Sequence, residues 1–140
     1  MQNYKNHRRL VLTYHGLTWI PTLALLIGSI INLVNSSKEN LYSASLILLI
    51  ALILISILLH ARSFALKAQD RAIRAEENLR HFILTGRPLD SRLALGQVIA
   101  LRFAPDEEFP GLAQRAADEH LSNNAIKKSV KNWRPDLHRA

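Results

Sequence analysis

Cysteine is absent from this chain, so it holds no disulfide and no thiolate metal site. Acidic residues are absent from its first fifteen positions, which carry Lys5, Arg8 and Arg9. Glycine and proline are absent from Leu41 to Thr85, which removes every strong helix stop from 45 consecutive residues. Catalytic signatures are missing too. There is no HExxH, no Gly-rich phosphate loop, no nucleophile elbow and no Ser/His/Asp pattern. The clustered acids Asp106, Glu107 and Glu108 read as a helix N-terminus and not as a catalytic pair. The expectation is a protein that is not an enzyme and carries no cofactor.

What is there begins with the uninterrupted stretch. The first part of Leu41–Thr85 is apolar enough to cross a bilayer, and the second part is charged and helix-prone. One continuous helix of roughly 65–70 Å is expected, at about 1.5 Å per residue. Ala44, Ile47, Ala51, Leu54, Leu58, Ala61, Ala65, Ala68, Ala72, Ala75, Leu79 and Phe82 follow at alternating spacings of three and four. That is a heptad seam, and it passes His60 and Ala61 without losing phase. Outside the apolar part, Ala61, Ala65, Ala68, Ala72, Ala75, Leu79 and Phe82 form a candidate helix-packing face. Its partner is another copy, another membrane protein or another part of the same chain. The bland alternative is that alanine is simply the best helix former.

Apolar residues make up 49% of the chain, and they concentrate between Leu10 and Leu59, where a soluble domain would spread them. A second spanning candidate, GLTWIPTLALLIGSIINLV, precedes the long helix, with Tyr14 and Trp19 placed as interfacial aromatics and Pro21 loosening its first turns. It is expected to be retained as a helix and not cleaved as a signal peptide, because no small-x-small site follows it and a second span comes soon after. Spans near 14–35 and 41–60, joined by the short polar connection Asn35–Tyr42, must be antiparallel neighbours. The basic N-terminus and the basic stretch Arg62–Arg74 then place both chain ends in the cytoplasm, against anionic headgroups of the inner membrane.

The long helix should stop at Gly86, with Pro88 beyond it. Three shorter helices are expected, near 91–103, 107–120 and 123–133, capped by Asp90, Asp106 and Ser122. Leu93, Val98, Leu101, Phe109, Leu112, Ala116, Ile126, Val130 and Trp133 would form their core, docked on the long helix, where Phe82, Ile83 and Leu84 offer an apolar end, or on a partner. The fold class is thus an all-α membrane protein. Residues 1–60 form a basic N-terminus and a two-helix transmembrane hairpin, 61–85 extend the second helix into the cytoplasm, and 86–140 form a small three-helix bundle.

Two further groups are candidates for binding. His15 and His60 both fall near the cytoplasmic edge of the spans, where facing imidazoles could ligate haem or a metal. Two interfacial side chains touching headgroups are the plainer reading. Lys127, Lys128, Lys131 and Arg134 lie in the last helix region, and Leu112–Val130 loosely follows a helix-turn-helix pattern, so these four are candidate contacts to an anionic partner. His120 or Leu121 stands where such turns usually place glycine, and the preceding acids repel phosphate. Nucleic acid is therefore disfavoured as a partner.

The strings ARSFALKAQDRAIRAEENLRHF (61–82), LRFAPDEEFPGLAQRA (101–116) and IKKSVKNWRPD (126–136) resemble an uncharacterised family of small two-span bacterial membrane proteins, a family of unknown function. The resemblance implies a two-span membrane protein with a helical cytoplasmic part, and it implies no mechanism. The functional expectation is a membrane-anchored interaction or scaffold protein presenting a cytoplasmic helical module. The alternative is a membrane-tethered nucleic-acid or ribosome-binding protein.

Overall fold

The computed structural model describes residues 3–4 and 11–136; Lys5, His7, Arg8, Arg9 and His138 lie outside them. Among the described residues the chain is all helical, with no strand. It divides into two compact units at Ala65 and Leu66, so the charged half of the long helix belongs with the bundle that follows it.

The first unit, Leu10–Ala65, is the apolar one. It opens with a π-helical stretch, Thr13–Thr18, which continues into helix α1, Trp19–Val34. Proline explains why the ladder is not α-helical from its start. Pro21 has no N–H to donate, and the Thr22 hydroxyl bonds back to the Thr18 carbonyl at 2.7 Å. Back-bonding of this kind and single π-turns both accompany bent helices. A tight connection follows, held by the Asn40 N–H on the Ser37 carbonyl at 3.0 Å. Helix α2 then runs unbroken over Leu41–Thr85, the bounds the sequence predicts. Thr13–Val34 and α2 are each long and apolar enough to cross a membrane, with mean hydropathy of 1.9 and 2.8 over their most apolar stretches. The buried residues of this unit are Ser29 on α1 with Ala44 and Ala51 on α2. Small side chains in these places let two helices approach closely. Tyr14 closes the open end of the pair by donating its hydroxyl to the Leu58 carbonyl at 2.9 Å.

The second unit holds the rest of α2 and three short helices. Gly86 terminates α2 as expected. Its φ is +71, the left-handed region that glycine enters without a Cβ penalty, and its N–H caps the Phe82 carbonyl at 2.8 Å. The helices that follow are α3 (Leu95–Leu101), α4 (Phe109–Asp118) and α5 (Asn123–Ser129), each shorter than the sequence suggests. Two of the three expected caps fail because their carboxylates are used elsewhere. Asp90 accepts the Arg92 N–H at 2.9 Å in a turn, and α3 begins only at Leu95, where the Gln97 side chain accepts the Ala94 N–H at 2.7 Å. Asp106 pairs with Arg80, and α4 begins at Phe109 with Pro110 in its first turn. Ser122 does cap α5, accepting from the Ala125 N–H at 3.2 Å. That helix ends before Trp133 because the Glu108 carboxylate takes the N–H groups of Lys131 and Asn132 at 2.9 and 3.1 Å.

Every core residue expected for the bundle lies in one cluster: Leu93, Val98, Leu101, Phe109, Leu112, Ala116, Ile126 and Val130 are buried, with Trp133 packed against them. Alanines 100, 104, 113 and 117 complete it. Gly96 lets α3 approach α5 closely, since a Cβ there would crowd the Asn123 side-chain amide unless that side chain moved. The expected docking end is a correction. Phe82, Ile83 and Leu84 are exposed, and α2 meets the bundle through Ile73, Glu77 and Arg80 instead. A purely apolar end lost to a face whose polar groups find partners on the bundle.

Candidate functional site

The charged half of α2 presents two faces, and the heptad pattern separates them. If Ala65, Ala72 and Leu79 are a positions and Ala61, Ala68, Ala75 and Phe82 are d positions, the buried Ile73 and Glu77 fall at b and f, away from the seam. The bundle therefore covers the b/f face. Ala61, Ala65, Ala68, Ala72, Ala75, Leu79 and Phe82 are all exposed. In the apolar half the seam is only partly used, for Ala44 and Ala51 are buried while Ile47 and Leu54 are not.

Arg80 organises the covered face. Its Nη1 donates to Glu77 at 2.9 Å, its Nη2 to the Ala104 carbonyl at 2.8 Å and its Nε to Asp106 at 2.6 Å. Glu77 is 6% exposed, and Arg134 approaches its second oxygen at 3.7 Å. A buried carboxylate needs such company, because an ion removed from water without a partner is strongly destabilising. His81 adds a hydrogen bond between Nδ1 and the Arg87 carbonyl at 2.8 Å, and Asn78 accepts the Leu89 N–H at 2.9 Å. The bundle is thus fixed to α2 by directional bonds as well as by Ile73.

Beside this node lies an open groove of about 770 Å³. Leu79, Ile83 and Leu84 form one wall, and Pro105 and Trp133 lie across from it, with Glu76, Asp106 and Glu107 along its rim. Leu79 belongs both to the groove and to the exposed seam, so the two make one continuous apolar and acidic surface. Pattern reading finds the seam but not the groove, which depends on how the 102–108 turn folds back on α2.

The other candidate residues are placed as follows. His15 and His60 are both exposed, and each directs Nδ1 at the carbonyl four residues before it, Val11 and Ser56, at 2.9 and 2.7 Å. No group of three or more metal-ligating side chains occurs among the described residues. Tyr14, not His15, reaches across to α2, and the Arg62 guanidinium lies 5.5 Å from its ring centroid. The four cations of the C-terminal region do not form one comb. Lys127 lies 5.9 Å from the Phe103 ring, Lys128 lies 5.5 Å from the Tyr4 ring, and Arg134 faces Glu77. Lys131 is exposed, with its backbone bound to Glu108. His120 takes φ +50 in the α4–α5 turn, the left-handed position a helix-turn-helix reserves for glycine.

These features define an all-helical protein with a pair of long apolar helices and a compact helical unit on the extension of the second. The chain belongs to a family of unknown function, DUF6526, whose model matches residues 1–140. No curated protein and no solved structure matches it.

Proposed function

We propose that this is a membrane-anchored interaction protein. The first unit inserts as a two-span hairpin in the bacterial cytoplasmic membrane, with anionic headgroups around Arg62 and both chain ends in the cytoplasm. The distal unit displays the outward face of α2 to another helix. One observation carries the reading: the residues of the charged half of α2 that become buried are Ile73 and Glu77, at b and f, and the a/d residues from Ala68 to Phe82 stay exposed. A helix tied to its own bundle through Arg80 and Asn78, with its a/d residues exposed, is suited to docking.

Topology is tested with single cysteines at Ser37 and Ser122 in a chain that has none of its own. An impermeant thiol reagent on intact cells should label Ser37→Cys and spare Ser122→Cys; the reverse pattern would refute the orientation. Purification in mild detergent then reads the associated material. A discrete protein complex supports the proposal. Co-purifying nucleic acid or ribosomes, lost on neutralising Lys127, Lys128 and Lys131, would replace it with the tethered nucleic-acid reading.

A further inference from the structure

The exposed face of α2 has large apolar residues as well as small ones. Leu79 and Phe82 are 60% and 52% exposed, and Ile83 beside them is 73% exposed. Among the described residues, the chain's own bundle buries Ile73 and Glu77 and leaves these three apolar side chains exposed beside the groove. Two charged residues flank the exposed face. Arg71 occupies a g position and Glu76 the e position five residues later. Both are exposed, and neither makes an ion pair among the described residues.

In a parallel pair of helices in register, each g residue faces the e residue five places on in its partner. For this sequence that juxtaposition is Arg71 against Glu76, formed twice by symmetry. The alanines at 68, 72 and 75 let the backbones approach, and Leu79 and Phe82 supply apolar area below them. The heptads on either side carry no g/e charge pair that would oppose this register, since Phe64 faces Gln69 and Asn78 faces Ile83. Anchoring in one membrane orients every copy alike, which selects parallel over antiparallel pairing.

We infer that the partner on this face is a second copy of this chain, docked in parallel along α2 from Ala68 to Phe82 with Arg71 of each copy paired to Glu76 of the other. The inference rests on the membrane-anchored reading for its parallel sense. Packing at a and d places the e edge of α2, including Glu76 and Ile83, at the rim of the acidic groove, so the second copy also narrows that groove.

The absence of native cysteine makes the test direct. Full-length chains carrying Ala72→Cys or Leu79→Cys are oxidised in native membranes, with Arg74→Cys on another face as the control. Cross-linked dimer at both seam positions, and several-fold less at Arg74, is the expected result. Arg71→Glu or Glu76→Arg alone should reduce the dimer several-fold by placing like charges together, and the double exchange should restore it. Monomeric mass in mild detergent with no seam cross-link would overturn the inference, as would cross-linking to a different protein. Single exchanges without effect would overturn the register. Membrane fractionation separates the two failures: a membrane-bound chain with no dimer refutes only the pairing, and a chain recovered in the soluble fraction refutes the anchored reading itself.

Discussion

The guanidinium carbon of Arg80 lies 4.5 Å from the centroid of the Phe109 ring, which is fully buried at the start of α4. One side chain therefore joins the long helix to the bundle through the Phe109 ring face, the Asp106 carboxylate and the Ala104 carbonyl, while pairing with Glu77 on its own helix. The partners are unequal. Glu77 is buried and loses its nearest cation with Arg80, whereas Asp106 is 61% exposed on its side chain and can turn to water.

Arg80→Ala should accordingly destabilise the distal unit by about 3–5 kcal/mol, the scale for breaking a buried pair. Asp106→Ala should cost about 0–1 kcal/mol, as for an exposed pair. Denaturant unfolding of the detergent-solubilised full chain, followed by circular dichroism, measures both. Equal losses would show that the two carboxylates are equivalent and that burial of Glu77 does not matter.

Gly96 and Asn123 make a second coupled pair. A Cβ at position 96 meets the end of a short polar side chain and not backbone, so the strain can be relieved. Gly96→Ala alone should destabilise by about 1–3 kcal/mol through overpacking. In an Asn123→Ala background the same change should stabilise by roughly 0.5–1 kcal/mol, because alanine then contributes only its better helix propensity. Additive behaviour of the two substitutions would disprove the contact.

The core of the bundle was legible because period and punctuation agree: the apolar residues between Leu93 and Trp133 recur at helical spacing, and Gly86, Pro105 and Ser122 mark where helices stop or start. Helix ends were less legible. Asp90, Asp106 and Glu108 carry the right chemistry for capping, but a carboxylate chooses between a local N–H and a distant cation or amide, and that choice depends on tertiary placement. The docking face shows the same limit. Phe82, Ile83 and Leu84 look like the natural contact from composition, and a polar set around Arg80 took the role because each group there found a partner across the turn at Ala104. The exposed seam was legible as a pattern, and its being uncovered by the bundle was not.

A pH dependence follows from the loop between α2 and α3. Asp90 is lowered from its ordinary 3.8 to about 2, first by the side-chain hydrogen bond from Arg92 and then by the Arg92 backbone N–H. The Arg92 guanidinium also donates to Asp118 at 2.9 Å, and Asp118 is lowered as well, first by Gln114 and then by Arg92. A folded pKa below the unfolded one means that the ionised group stabilises the fold above about pH 4, and that this contribution fades as pH falls towards 2. Carboxyl-carbon NMR titration should find Asp90 still ionised at pH 3. Arg92→Gln should return it towards its ordinary value; an unchanged titration in that variant would assign the shift to another cause.

Among the described residues two hold left-handed backbone, Gly86 at φ +71 and His120 at φ +50, and they should respond to substitution in opposite directions. Gly86 closes α2 by capping the Phe82 carbonyl, and its place has open space for a Cβ, so the penalty in Gly86→Ala is conformational alone. An L-residue in that region costs about 1–2 kcal/mol, and the variant should lose about that much. His120 already bears this cost in the α4–α5 turn, where the Leu121 N–H reaches back to the Ala116 carbonyl at 3.2 Å. His120→Gly removes the strain but frees the unfolded chain by about 0.4–1 kcal/mol, so a net gain of up to about 1 kcal/mol is expected. Denaturant midpoints should move down for the first variant and up for the second with unchanged slopes, because neither alters the surface exposed on unfolding. A loss of stability in His120→Gly would show that the imidazole itself contributes to the turn more than its backbone strain costs.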